Sequence, residues 1–481
     1  MTADATTCSY TRVYLAYPQY RCPLPVEAGQ PVCILHDTNP AKDQAAFLTS
    51  LRSKIRQDSA DPGATNIRLD GTVFPGDFRW DVAIAGVDST KGVSFPEATF
   101  SGRALFSGVT FTGDAYFVGV TFTGDAYFVG VTFTGDATFS FATFSGNAGF
   151  ARATFSGDAY FVGATFTGDA SFIGATFSGN ANFSQAKFTD DANFHWATFR
   201  QRLVFSSLNS RNQERDTALT EAAPGDAAGM NRAFTLHFHS VILEQPHLVS
   251  FEDVDLSKAS FLYTNLSQVR FIAVTWARKK KRLWRFPLVK TNQYVIGDHL
   301  ELEGKWETLA PGERQQQAAL VADVYRQLRL NLEGTRQEVE AGHFYIGQMD
   351  MRLRDPQFSW PQRALLHVYR ALAMYGESAW RPLFLYLLIS IGFAFLYLWC
   401  GFAWNDAAVP VQYGPFWSDG LTFPISDYGK AWFIAATAGT PLRANIQFIG
   451  SWGYVVLFLN MVLGIFFIAL FVIALRRHYR R

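Results

Sequence analysis

Three of the four cysteines in this 481-residue chain fall within residues 1–40: Cys8, Cys22 and Cys33. Cys33-Ile34-Leu35-His36 adds an imidazole at a C-x2-H spacing, which places two ligands on one turn. Three thiolates and one imidazole suit a tetrahedral zinc ion in a structural role. The remaining spacings are irregular, so a few ordinary thiols in a small reduced segment stand as the alternative. Further along, His237-Phe238-His239 puts two imidazoles on one strand face, with Glu244 and His247 near in sequence. That pattern suits either a metal or a solvated face. A basic run, Lys279, Lys280, Lys281, Arg282 and Arg285, offers charge to anionic lipid headgroups, or serves as a solvated linker. No Walker loop, HExxH, GxSxG or dinucleotide fingerprint occurs, and no enzyme is expected. With 42 basic against 41 acidic residues the net charge is +1, which argues against a nucleic-acid partner.

These groups are positioned by a ladder of phenylalanines from Phe95 to Phe205, spaced alternately five and six residues apart, a true period of eleven. Two residues before almost every Phe sits Ala or Val, as in Ala98-Thr99-Phe100. Apolar–polar–apolar alternation is strand-like, and the Ser-Gly or Thr-Gly that follows is turn chemistry. So short a unit cannot bury its own ring. Stacking coil on coil does, giving an inner column of Phe flanked by small residues. From residue 254 the step is five throughout: Val254-Asp255-Leu256, Ala259-Ser260-Phe261, Thr264-Asn265-Leu266, Val269-Arg270-Phe271 and Val274-Thr275-Trp276.

This pattern resembles the pentapeptide-repeat family. The resemblance implies an all-β solenoid, a right-handed quadrilateral parallel β-helix. In the 95–205 region a sixth residue on alternate sides makes a coil of about 22 residues, with coils about 4.8 Å apart. Asp114, Asp136, Asp158 and Asn180 then stack in one outer column, and Asp125, Asn147, Asp169 and Asp191 in another. They read as turn residues bonding backbone N–H groups, or as an acidic ridge for a partner.

The chain divides by composition into five parts. A Cys/His segment with a capping helix occupies 1–62, with Phe47, Leu51 and Ile55 on one stripe, and the β-helix 63–276 carries an insertion at 206–247. A basic linker at 277–310 leads to an amphipathic helical connector at 311–379, whose last helix is expected at the bilayer interface. A two-span membrane domain fills 380–481, its spans at Pro382–Trp404 and Trp452–Leu475. Arg476, Arg477, Arg480 and Arg481 follow the second span, so both termini are expected in the cytoplasm, beneath a plasma (inner) membrane. Short connector segments such as Tyr325-Arg326-Gln327-Leu328 and Tyr375-Gly376-Glu377-Ser378 resemble those of membrane-anchored pentapeptide-repeat proteins.

Between the spans, a candidate re-entrant stretch at 427–441 ends in Thr437-Ala438-Gly439-Thr440 and Pro441. It resembles the pore loop of two-span cation channels in degenerate form, with Thr440 in place of the aromatic residue and Pro441 in place of the second glycine. The expected function is a membrane-anchored cytoplasmic scaffold that offers its β-helix to a protein partner and its basic run to membrane lipids. The alternative is a channel-like pore, requiring homo-oligomers through the transmembrane helices.

Overall fold

The computed structural model describes residues 8–12, 20–24, 26, 32–39, 42–83, 91–207, 235–282, 290–354, 359–378, 380–404, 410–413, 424–440 and 446–480. The chain forms two compact units, Met1–Asn331 and Leu332–Arg481. The first is a parallel β-helix with four walls of nine, six, seven and six strands. Ala115 pairs with Ala137, Thr121 with Thr143, Ala126 with Ala148 and Thr132 with Thr154, so one coil takes 22 residues. Most sides of the ladder contribute only two paired residues, as in Thr99–Phe100 and Ala104–Leu105, because the flanking positions are spent on corners.

Phe and the small residue before it point inward together. Ala98, Phe100, Val120 and Phe122 have no exposed surface, while Thr121 between the last two is half-buried. The rings form columns along the axis. Phe100 stacks on Phe122 at 5.0 Å, Phe122 on Phe144 at 4.9 Å and Phe144 on Phe166 at 4.8 Å, with planes within 12°. Across the core the rings meet edge to face, as at Phe117–Phe128, 5.4 Å and 85°. Each such pair contributes about 0.5–1.5 kcal/mol beyond area burial.

The alternating step has two corner types behind it. Five-residue sides close with a backbone bond, Ala98 N–H to Phe95 O at 3.0 Å, and hold a left-handed residue: Gly130 at φ +65°, but also Phe141, Arg152 and Trp196 at 55–58°. Six-residue sides pass so near the previous coil that a Cβ on Gly157 would lie 2.6 Å from the Gly135 carbonyl. The Asx residue there reaches to the next coil. Asp114 Oδ1 accepts the Asp136 N–H (3.0 Å), Asp136 that of Asp158 (2.9 Å) and Asp158 that of Asn180 (2.7 Å). The Asp125–Asn147–Asp169 column repeats this at 2.9 and 3.1 Å. The columns therefore bond backbone N–H groups, one coil away rather than within their own turn.

Both ends of the β-helix are closed. Helix α1, Gln44–Ala60, starts at Asp43, whose carboxylate accepts the Ala45 and Ala46 N–H groups. Its Phe47 sits edge-on to Phe74 (5.6 Å, 77°), which stacks on Phe100 (4.2 Å, 3°), so the helix covers the end of one Phe column. Of the stretch read as an insertion, residues 208–234 lie outside the described residues. Leu236–His237 and Ile242–Leu243 are coil strands, drawn in by buried Leu236, Phe238, Val241 and Leu243.

The basic stretch Ala277–Arg282 pairs antiparallel with Lys290–Val295, and helix α2, Gly297–Lys305, follows. Helix α3 is Pro311–Gly334. Together α2 and α3 supply polar side chains where a further coil would have paired. Asp298 accepts from Ser260 Oγ (2.5 Å) and the Phe261 N–H (2.9 Å), and Gln327 Oε1 accepts the Leu266 N–H (2.8 Å). Asn331 Nδ2 donates to the carbonyls of Leu266 (2.7 Å) and Val269 (2.6 Å). An open parallel edge would otherwise template association.

In the second unit, helices α4 (Glu338–Leu353), α5 (Trp360–Ala373), α6 (Trp380–Cys400), α7 (Ile425–Thr437) and α8 (Ser451–Arg480) follow in order. α6 and residues 451–476 of α8 are long and apolar enough to cross a membrane, and only 28% and 17% of them is buried. A core helix of a soluble protein would be mostly covered. α6 stops at Cys400, short of the expected Trp404, because Gly401 turns left-handed (φ +76°) and Phe402–Trp404 pairs with Ile446–Phe448.

Two outcomes test this account. Gly157→Ala should destabilise the β-helix by well over the roughly 1–2 kcal/mol that left-handed geometry alone costs Gly130→Ala, whose added methyl meets open space; thermal melts of both variants decide. Burial pushes the Asp298 carboxyl up to about 6 from 3.8, with its hydrogen bonds opposing. A raised carboxyl favours folding fully below pH 3.8 and loses that contribution as pH rises through about 6. Asp298→Asn should therefore remove a pH-dependent loss on the order of 2–3 kcal/mol, read as hydrogen-exchange protection at residues 259–262.

Candidate metal centre

Two elements bring the ligands together. The antiparallel pair Thr11–Arg12 and Tyr20–Arg21 sets Cys8 beside Cys22, fixed by Cys8 N–H to Leu24 O (3.0 Å) and Cys22 N–H to Tyr10 O (3.2 Å). Cys33–His36 is a tight turn, with the His36 and Asp37 N–H groups both on Cys33 O. The irregular spacing of the ligands follows from this origin in a hairpin and a separate turn. Cys8, Cys22, Cys33 and His36 are all buried, and their ligand atoms lie within 4.8 Å of one another. Cys22 Sγ is 3.7 Å from Cys33 Sγ, and His36 Nδ1 is 3.2 Å from Cys33 Sγ and 3.5 Å from Cys8 Sγ.

The surroundings orient the imidazole. His36 Nε2 lies 2.9 Å from the Asp70 carbonyl; a proton there leaves the Nδ1 lone pair facing the sulfurs. The Tyr10 ring lies flat on His36 at 4.1 Å and 9°. Asp70 belongs to the first coil, and Val73 N–H bonds Leu35 O at 2.8 Å, so the cluster is fastened to the β-helix itself. Gly71 is required there, since a Cβ would lie 2.0 Å from the Tyr10 ring.

Hydrogen bonding from Cys22, helped by His36, lowers the Cys33 thiol to about 4 against the opposing effect of burial. The bond to Cys33 and burial raise Cys22, and burial raises Cys8. Cys33 is thus the thiol of the cluster most disposed to ionise, and a cation bound by all three sulfurs would displace their remaining protons. Lys42 donates to the Ile34 and Asp37 carbonyls (2.8 Å each), and burial lowers it to about 8.

The other sequence-derived groups do not assemble in this way. His237 lies 3.8 Å from Asp191, Glu244 pairs with Arg200 (3.3 Å), and His247 is exposed. His239 instead meets His195, Nδ1 to Nδ1 at 3.3 Å, and burial lowers both rings. His195 was not singled out in the sequence, because the interrupted register hides that the two are neighbours. Lys279 pairs with Glu303, and Lys280, Lys281 and Arg282 share its strand; Arg285 lies outside the described residues. Thr437 ends α7, and its carbonyl accepts both the N–H (2.9 Å) and the hydroxyl (2.8 Å) of Thr440. Ala438 is buried, and Gly439 lies against Gly464, where a Cβ would come within 2.7 Å of the backbone. Pro441 lies outside the described residues.

Residues 95–143 and 128–176 match the sequence profile of the family described as pentapeptide repeats (9 copies). The stretch is a pentapeptide-repeat β-helix, as the resemblance implied. No curated protein and no solved structure matches the chain.

Gly71→Ala should displace Tyr10 from His36 and speed alkylation of Cys33 severalfold in metal-free protein. Gly76→Ala, equally left-handed but facing open space, should leave that rate unchanged. Equal rates in both would disconnect the first coil from the cluster.

Proposed function

We propose that this protein is a membrane-anchored scaffold whose β-helix presents rigid walls to a protein partner on the cytoplasmic side. The observation that carries this reading is the joining, in one chain, of a ring-filled solenoid and two apolar helices of spanning length. A core filled by Phe leaves the chemistry of the β-helix on its outer walls. Two of those walls repeat one threonine per coil, Thr99, Thr121, Thr143 and Thr165 on one and Thr110, Thr132, Thr154 and Thr176 on the other. The arginines that follow the second span support a cytoplasmic location for both termini.

The Cys3His cluster binds zinc in this reading, as a clamp on the N-terminal end. A tetrahedral zinc–sulfur site with bonds of about 2.3 Å has sulfur–sulfur edges of about 3.8 Å, and Cys22–Cys33 stands at 3.7 Å. Four protein ligands leave no open position, which fits a structural ion.

A second reading, a pore, draws on α7. This short helix lies between the spans in sequence and buries Ala431, Ile434 and Ala435. Two spans cannot enclose a channel, so about four copies would be required. The internal bonding of Thr437 O and the engagement of Ala435 O by Tyr386 (3.0 Å) and Asn460 (3.1 Å) favour a packed loop over a carbonyl filter.

Purified full-length protein in liposomes should release no cations beyond a Gly439→Asp control. Flux abolished by that change would replace the anchor reading with the pore. The same preparation should contain one zinc per chain by elemental analysis, and Cys33→Ser should lose it. On the wall, Thr132→Arg with Thr154→Arg should abolish cross-linking to a partner in native membranes while thermal stability stays within about 1 kcal/mol.

A further inference from the structure

The second unit holds a third apolar surface beside its two spans. α5 begins at a capping box, in which the Ser359 N–H bonds Gln362 Oε1 at 3.0 Å. Its two faces differ sharply. Leu366 and Tyr369 pack on the buried cluster of Ile346, Leu353 and Tyr375, and Arg370 reaches Asp350 at 3.1 Å. On the other side Trp360 is 80% exposed, Leu365 69% and Val368 51%, and Ala364 and Ala371 are exposed with them. At 100° per residue these five fall within an arc of about 140°, a continuous apolar stripe. A soluble unit would not leave such a face in water.

The turn after α5 determines where this stripe lies. Met374 (φ 46°), Tyr375 (58°) and Gly376 (85°) are consecutively left-handed, at roughly 1–2 kcal/mol for each of the first two. Tyr375 holds the turn because it is fully buried, with its hydroxyl 3.4 Å from Asp350. The elbow stops α5 from running on into α6 and packs it against the start of that span and against α8. Trp380, at the first turn of α6, meets Phe471 near the far end of α8 (6.3 Å). α5 therefore sits at the end of the bundle where α6 begins and α8 runs out toward exposed Arg476. Trp380, 73% exposed, sits at that end of α6 as interfacial tryptophans do, and Trp360 heads the stripe itself.

We propose that the exposed stripe of α5 is a lipid-binding surface that lies in the headgroup–acyl boundary of a phospholipid bilayer. The proposal rests on the reading of α6 and α8 as spans and adds an in-plane anchor to them. Continuity with those spans selects lipid over a protein as occupant: α5 ends at Ala373, seven residues before the first transmembrane helix begins at Trp380, and packs against that helix. Arg363 and His367 border the stripe, where headgroup phosphates would lie.

The test uses the full chain with Cys400→Ser, since the other three thiols are buried. An environment-sensitive fluorophore is placed singly at Leu365→Cys, at Val462→Cys within α8, and at Thr132→Cys on the β-helix wall. Each variant is reconstituted into phosphatidylcholine–phosphatidylglycerol nanodiscs carrying lipid brominated either high or deep in the acyl chain. The expected result is severalfold quenching of the Leu365 label by shallow bromine, quenching of Val462 by deep bromine, and none at Thr132. Quenching at Val462 without quenching at Leu365 overturns the proposal and leaves the spans intact. Absence of quenching at both overturns the anchoring reading itself. A Leu365 label that lipid does not quench but that couples to the same label on another chain assigns the stripe to a second copy and overturns the proposal.

Discussion

The fold depends on one constraint: a side of the β-helix is too short to bury the phenylalanine it carries. Only the coils above and below can cover the ring, so stability comes from stacking, and it is shared between neighbours. The near-parallel contact of Phe144 with Phe166, 4.8 Å at 1°, is the spacing of parallel strands repeated in the core. Backbone ladder, ring column and Asx column therefore rise in the same step. A mismatch in one would strain the other two, and the strictness of the eleven-residue period follows from that agreement.

The same logic makes the ends expensive. Each terminal coil has rings without a cover and backbone groups without partners. At the start, Phe47 of α1 covers Phe74, and the Cys/His cluster fastens its segment to Asp70 and Val73. At the finish, Asp298, Gln327 and Asn331 replace the missing strand atom by atom. One end is closed by an aromatic side chain and a candidate metal site, the other by helices whose polar side chains imitate a peptide edge.

How much of this was legible in the sequence varied with its periodicity. The Phe ladder names its fold because every coil repeats the same requirement. The Cys/His set could be read by composition but not by spacing, since Cys8 and Cys22 come from a hairpin and Cys33 and His36 from a turn. The C-terminal cap left no signal at all: Asp298 and Asn331 look like ordinary helix residues, and their task is set by an edge far away in sequence. His195 escaped notice because the insertion breaks the register that would have aligned it with His239. The elbow at Tyr375 was invisible for a different reason, since nothing in a tyrosine announces a left-handed backbone.

The 22-residue coil also makes the β-helix a molecule of adjustable height. Residues 113–123 and 124–134 are identical, Gly-Asp-Ala-Tyr-Phe-Val-Gly-Val-Thr-Phe-Thr in both. Losing or gaining one such half-coil would rotate everything beyond it to the opposite wall, moving the Asp125 column onto the Asp114 side. Losing or gaining two would return every column to its place and shift the far end by one strand spacing, about 4.8 Å. The cap contacts described above are made with the coils at each end, Phe47 with Phe74 and Asp298 with Phe261, so they would survive the change. Such a fold can be lengthened or shortened in whole turns, like a ruler cut at its own divisions, while what it presents on each wall stays the same.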